Sequence, residues 1–209
     1  MDLKNSSFLS IVLAAGEGKR FGGNKLAAVL PDTGRTVLEQ VIDKALLRQR
    51  RADSLDSWRV LVVSNPINAR TIDASREVEV FVNERYREGL SESVKVGIRE
   101  AIRRKVSGVF LFLGDMPFIS ETTVESVYQK ANQEPEAIIR PRYQNTPGFP
   151  LYFPARFFDQ GMAITGDRGL QTVLGPLSQS LRWVETEDPF CVKDIDLPSD
   201  LSGQKAPLL

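Results

Sequence analysis

The stretch Phe8-Leu-Ser-Ile-Val-Leu-Ala-Ala-Gly-Glu-Gly-Lys-Arg-Phe-Gly-Gly-Asn-Lys25 joins a short apolar run to a glycine-rich, basic loop. Residues 8–15 are apolar except for Ser10 and stop at Gly16, the pattern of a buried strand feeding a turn. Residues 16–25 are small, flexible and basic. Small residues let a ligand approach the backbone, whose N–H groups cradle phosphates. Lys19, Arg20 and Lys25 add positive charge. A solvated turn is the plain alternative for any glycine loop. The order strand, small residues, glycines, arginine, lysine favours phosphate binding. The loop contains no G-x-x-x-x-G-K-[ST], and the third position of a dinucleotide fingerprint begun by Gly16 and Gly18 holds Phe21. As a loop lysine, Lys25 is expected to pack against little, so its loss should cost function and not stability.

Outward from this loop, helical and strand patterns alternate. Thr36 and Glu39 make a capping-box pair ahead of Leu38, Val41, Ile42, Ala45 and Leu46 at helical spacing. Apolar runs at 59–63, 78–82 and 108–113 predict buried strands, and 54–57 a loop. Gly89-Leu-Ser91 opens a helix with Val94, Ile98, Ala101 and Ile102 inward and Arg99, Arg103, Arg104 and Lys105 outward. Ser120 caps another with Val124, Val127, Tyr128 and Ala131 inward. Later strands are expected at 137–139, 149–153 and 181–184, a short helix at 169–174, and a loop at 194–200 running into a final turn. The alternation predicts an α/β fold, Rossmann-like and three-layered, with a mixed, mostly parallel sheet. One domain is expected over 1–209, with its core at 8–201 and a frayed tail at 202–209.

The composition narrows the chemistry. The 209 residues suffice for a core of their own. Lys+Arg and Asp+Glu each number 27, and a formal net charge of zero argues against a nucleic-acid partner. The single cysteine, Cys191, excludes an internal disulfide and a Cys-cluster metal site. The absence of histidine removes Ser-His-Asp triads, Cys-His dyads and His-ligated metals. Any general base is therefore Asp, Glu, Lys, Tyr or the substrate itself. No apolar run approaches the roughly 20 residues of a membrane span, and no signal-peptide pattern is present. A cytoplasmic protein with no membrane partner is expected.

In a parallel sheet, ligands bind outside the carboxyl ends of the strands. There Gly114-Asp115-Met-Pro117 follows the 108–113 run. Mg²⁺ on phosphates needs only one or two carboxylates, and Asp115 is placed to supply one. A plain turn residue before Pro117 is an equally open reading.

Together these segments resemble the nucleotidyltransferases with the MobA-like NTP-transferase fold. Leu13-Ala14-Ala15-Gly16-x-Gly18-x-Arg20-Phe-Gly-x-x-Lys25 looks like the family signature. Gly89-Leu-Ser91-Glu-Ser-Val resembles the segment that completes the nucleotide pocket, and Gly114-Asp115-Met-Pro117 the metal-binding D-x-P. Pro147-Gly-Phe149-Pro150 resembles the Gly-His-Pro element, Gly166-Asp167-Arg168-Gly169 the Gly-Asp-x-Gly loop, and Asp194-Ile-Asp196-x-Pro-x-Asp200-Leu201 the closing motif. The likeness runs from residue 8 to 201. The Leu-Ala-Ala-Gly opening and the Asp-Ile-Asp closing look most like the molybdenum cofactor cytidylyltransferase branch. Phe149 stands where relatives carry histidine, and a phenyl ring only packs or stacks. An altered acceptor site is therefore expected there.

The resemblance implies transfer of CMP from CTP to the phosphate of molybdenum cofactor (molybdopterin), with release of pyrophosphate. Mg²⁺ or Mn²⁺ would be the cofactor, and a molybdoenzyme the protein partner. The alternatives are GTP or another NTP, a sugar phosphate as acceptor, or a non-catalytic cofactor chaperone. The attacking phosphate is already an anion, so positioning and charge neutralisation suffice and no histidine base is needed. Leu13, Ala14, Ala15, Gly16, Gly18, Lys25, Gly89, Ser91 and Asp115 would bind nucleotide. Arg20, Lys25 and Asp115 would be catalytic. Asp115 with Asp196, or with Asp194, would hold the metal, and Phe149 and Asp167 would meet the acceptor.

Overall fold

The computed structural model describes residues 7–47, 58–167 and 169–202. The expected loop at 54–57, Arg168 and the tail from 203 lie outside the described residues. The apolar runs and amphipathic patterns become β1 (Phe8–Ala14), α1 (Val37–Leu46), β2 (Trp58–Ser64), α2 (Pro66–Ala69), β3 (Glu79–Val82), α3 (Leu90–Arg104), β4 (Gly108–Leu113) and α4 (Glu121–Gln133). Then follow β5 (Ile138–Tyr143), β6 (Thr146–Pro147), β7 (Leu151–Pro154), α5 (Phe158–Met162), α6 (Gln171–Leu174) and β8 (Leu181–Glu185). The sheet order is β3-β2-β1-β4-β7-β5-β6, with β8 along β5. Strands β1 to β4 are mutually parallel, β7 runs against both β4 and β5, and β8 is parallel to β5. This is the α/β fold with a mixed, mostly parallel sheet and helices on both faces.

Successive strand residues face opposite sides of the sheet. Phe8, Val12, Trp58, Val62, Phe110 and Phe112 pack under α1 and α4. Leu9, Ile11, Leu13, Leu61, Val63 and Leu111 pack under α3 and α5. Ser10, the polar interruption in β1, is fully buried. It accepts a hydrogen bond from Trp58 Nε1 at 2.9 Å, so its burial leaves no unpaired hydroxyl. The Thr36–Glu39 pair forms a complete capping box on α1, and Ser120 caps α4 through the Thr123 N–H.

The structure corrects three sequence expectations. β3 is an edge strand, so Val80 and Val82 are 39% and 43% exposed and not buried. Ile102 lies on the outer side of α3, 46% exposed, because the inward stripe is completed by Val94, Ile98 and Ala101 alone. α2 and α5 were not foreseen, since four or five residues carry too little periodicity to register. Among the described residues, no helix is long and apolar enough to cross a membrane.

Candidate active site

β1 and β4 run side by side in register, Leu13 beside Leu113, so their following loops emerge at one edge. The Gly114 N–H donates to the Leu13 carbonyl at 2.9 Å and seals that junction. Beyond β1, the chain makes two 3-10 turns, Lys19–Phe21 and Lys25–Ala27. The second draws Lys25 inward, and only 11% of its side chain is exposed. Its Nζ lies 2.8 Å from Asp115 Oδ2 and 3.8 Å from Asp196 Oδ1. Arg20 Nη1 lies 3.5 Å from Asp196 Oδ2, in the open. The C-terminal segment reaches this place because the Ile195 N–H donates to the Asp115 carbonyl at 2.9 Å. Lys25 is thus a held, ion-paired group, and the expectation that it packs against little is overturned.

Asp194 lies beside this cluster. Partial desolvation, then the neighbouring Asp115 and Asp196 carboxylates, push its carboxyl above the usual range. Among the described residues, no three metal-ligating side chains converge. Asp115, Asp194 and Asp196 are neighbours without forming a preformed three-carboxylate cage. What exists is one ammonium shared by Asp115 and Asp196. That donor set fits a divalent cation carried largely by phosphate oxygens, which asks for one or two protein carboxylates. Of the two candidate second ligands, Asp196 is the one paired with Lys25 and Arg20.

A cleft of about 450 Å³ opens over this cluster, lined by Leu13, Ala15, Gly16, Gly18, Arg20, Lys25, Gly89, Asp167 and Asp196. Three expected residues sit differently. The Ala14 side chain belongs to the core. Ser91 is 1% exposed and its hydroxyl has no hydrogen-bond partner. Asp115 reaches the cleft through Lys25. Gly89 has φ of 111°, and a Cβ there would come within 2.7 Å of the Gly166 carbonyl carbon and 2.8 Å of Asp167 Oδ1. Only glycine lets the 166–167 loop rest on the start of α3, where the Ser91 N–H donates to the Gly166 carbonyl at 3.1 Å.

Sequence reasoning missed Tyr86 and Arg87, which also line the cleft. It also missed two buried asparagines. The Asn68 side-chain amide donates to the carbonyls of Ala14 at 2.8 Å and Gly16 at 3.3 Å. That of Asn65 donates to Ala15 at 3.1 Å. They hold the loop after β1 by its carbonyls. The signal was present: Asn65 and Asn68 follow the apolar β2 at the same carboxyl edge.

Phe149 and Asp167 line a second, mostly apolar cavity of about 280 Å³. Leu13, Leu90 and Asp167 line both cavities, so the two adjoin.

Residues 10–182 match the family profile described as the MobA-like NTP transferase domain. The purine catabolism protein PucB of Bacillus subtilis is 24% identical over 206 residues, 95% of this chain and 96% of that protein. Two probable molybdenum cofactor guanylyltransferases also match. That of Methanosarcina acetivorans is 28% identical over 66% of this chain and 59% of that protein. That of Methanosarcina mazei is 26% identical over 84% and 76%. Among solved structures, Rv0371c from Mycobacterium tuberculosis superposes with a TM-score of 0.75 at 25% identity, over 93% of this chain and 95% of that one. Its complex with manganese gives 0.74 at 23%, over 96% and 100%. The molybdopterin-guanine dinucleotide biosynthesis protein A of Archaeoglobus fulgidus gives 0.62 at 18%, over 93% and 95%.

The two probable guanylyltransferases and the guanine dinucleotide biosynthesis protein overturn the expected cytidylyltransferase branch and CTP as the favoured nucleotide. One of the two peptides behind that expectation, Asp194-Ile195-Asp196, lies where carboxylates meet an ammonium. Such chemistry is blind to the base.

Proposed function

The chain belongs to the MobA-like NTP transferase family, and from that premise we propose that it is a guanylyltransferase. It would transfer GMP from GTP to the phosphate of a molybdopterin-type acceptor, release pyrophosphate, and work in the cytoplasm. The observation that carries nucleotidyl transfer is the Lys25 ammonium shared by Asp115 and Asp196 beside the 450 Å³ cleft. The guanylyltransferase relatives support GTP as the donor.

The roles follow from position. Leu13, Ala15, Gly16, Gly18 and Gly89 give the nucleotide a close approach to backbone. Ala14 and Ser91 stand behind that surface and shape it. Lys25 and Arg20 turn from their carboxylates to the triphosphate and neutralise charge on the leaving pyrophosphate. Asp115 and Asp196 would hold the divalent ion, which when bound draws electron density from the phosphoryl oxygens; the manganese complex of Rv0371c supports an ion of this kind. Asp194, with its raised carboxyl, is an outer neighbour. Asp167, shared by both cavities, and Phe149, in the second, would align the acceptor so that its phosphate faces the α-phosphorus.

The test is mass spectrometry of the product from purified protein, Mg²⁺, GTP and molybdopterin. The expected product carries one added GMP with one pyrophosphate released. Pyrophosphate release without the adduct, or neither, would refute the reading.

A further inference from the structure

Two groups of charge line the 450 Å³ cleft. One is Arg20, Lys25 and Asp196, beside Asp115 at the end of β4. The other joins the loop after β1 to the chain that follows β3. There Arg87 Nε donates to Glu17 Oε1 at 3.1 Å. In the sheet, β3 and β4 lie on opposite sides of β1, so this second pair stands across from the Asp115 side. Arg87 belongs to the 3-10 turn Tyr86–Glu88 ahead of α3. Buried Asn83 fixes that turn: its side chain accepts from the Arg85 N–H at 3.0 Å and donates to Ser93 Oγ of α3 at 3.0 Å. Arg85 Nε donates to Glu88 at 2.8 Å within the turn. The Arg87 guanidinium carbon stands 5.2 Å from the centroid of the Tyr86 ring, a cation–π contact that steadies it.

Stability does not account for the Glu17–Arg87 pair. The Arg87 side chain is 75% exposed, and an exposed ion pair contributes little to folding. Glu17 is also an acid in the loop that meets a triphosphate, where a carboxylate repels the ligand. Among the described residues, three carboxylates line the cleft. Asp196 serves Lys25 and Arg20, and Asp167 stands where the two cavities meet. Glu17 has neither task. Its carboxylate only accepts hydrogen bonds, and the Arg87 guanidinium only donates them. Guanine presents the converse along one edge. N1–H and the 2-amino group are adjacent donors, and O6, next to N1, is an acceptor. Cytosine and adenine carry one amino group and no ring N–H beside it.

We propose that Glu17 and Arg87 select the base of the nucleotide. The two Glu17 oxygens accept from N1–H and the 2-amino group of guanine, and Arg87, beside them, donates to O6. Tyr86 is a positioning residue that holds the guanidinium in place. This rests on the guanylyl-transfer reading above, which it deepens by naming the residues that choose the nucleotide.

The probes are the Mg²⁺ complexes of GTP, ITP, XTP and CTP, followed by isothermal titration. ITP lacks the 2-amino group, and XTP has a carbonyl oxygen in its place. Glu17→Gln keeps the shape of the side chain and turns one acceptor into a donor. Arg87→Lys keeps the charge without the planar fork. The readout is the ratio of affinities among the four nucleotides, which a general change in loop charge does not move. Wild type is expected to prefer GTP over CTP and XTP by about tenfold or more, the scale of one bidentate base contact, and over ITP by less. Glu17→Gln should bind XTP at least as well as GTP. Arg87→Lys should lose preference for GTP and ITP over CTP. Both variants should melt within a few degrees of wild type. A wild type without preference for GTP, ratios unchanged in Glu17→Gln, or all four nucleotides weakened alike overturns the proposal, as does a Glu17→Gln protein that fails to fold. If the protein forms the GMP adduct with unchanged ratios, transfer stands and this assignment falls. If the ratios shift as expected and no adduct forms, base selection stands and the transfer reading fails.

Discussion

Replacing Lys25 by Met keeps the apolar stem and removes the ammonium shared by Asp115 and Asp196. At 2.8 Å and an effective dielectric near 20, the Lys25–Asp115 attraction is on the order of 6 kcal/mol before desolvation. Breaking a fully buried pair costs about 3–5 kcal/mol, because one charge is left alone. Asp115 keeps 24% side-chain exposure and rehydrates in part, which lowers the expected loss to about 2–3 kcal/mol. Asp196, 47% exposed and 3.8 Å away, adds less than about 1 kcal/mol. For a chain of this size that is a fall in melting temperature of about 4–10 °C. Millimolar Mn²⁺ should restore more of the loss in Lys25→Met than it adds to wild type, since an ion replaces the missing charge between the two carboxylates. Turnover should drop about a hundredfold or more, the scale of losing one preorganised charge. Differential scanning fluorimetry with and without Mn²⁺, beside pyrophosphate release, measures both. An unchanged melting temperature together with wild-type turnover would refute the pairing and the role drawn from it.

Asp115→Asn should keep the fold and cut metal-dependent turnover by about a hundredfold or more, measured at saturating Mg²⁺. Asn68→Ala leaves the Ala14 carbonyl without its amide donor at 2.8 Å; thermal unfolding should show a loss of about 1–3 kcal/mol, and the KM for GTP should rise. Gly89→Ala should be destabilised by about 1–3 kcal/mol through its strained backbone and lose nucleotide affinity, read by isothermal titration, because the new methyl displaces the 166–167 loop. The Thr36 backbone N–H holds the Glu39 carboxyl below the usual range. The stability it contributes is complete above the unfolded carboxylate pKa and disappears as pH falls through the lowered folded value. Denaturant unfolding of Glu39→Gln should therefore differ from wild type at pH 7 and converge with it in acid.

What the sequence disclosed followed chain-local signals. The apolar run of β4 and its glycine, the Thr36–Glu39 pair, and the inward stripe of α4 all act within a few residues, and each appeared where expected. Local patterns also placed Lys25 and Asp115 in loops at one sheet edge, and the family resemblance added Asp196. They could not tell that Lys25 would be drawn inward, because its partners lie 90 and 171 residues along the chain. The edge position of β3 was equally hidden, since Val78-Glu-Val-Phe-Val82 has the same apolar content as a central strand. Arg140 is the sharpest case. In the sequence it is one of many arginines, and only its burial, its bonds to the carbonyls of residues 147 and 148 and the leucine walls of the second cavity distinguish it. The Leu-Ala-Ala-Gly and Asp-Ile-Asp peptides misdirected the choice of base, which the relatives corrected.

The last part of the chain to be threaded is also part of the site. Gly148 leaves no room for a side chain, since a Cβ would lie 2.4 Å from the Cys191 carbonyl oxygen. The Phe149 N–H donates to that same oxygen at 2.8 Å, and Ile195 ties to Asp115. Residues 188–196 thus brace both the 148–149 turn and the carboxylate cluster. A displacement of this one segment would therefore disturb the Phe149 turn and the Asp115 cluster together, while the hydrogen bonds between β1 and β4 stay intact.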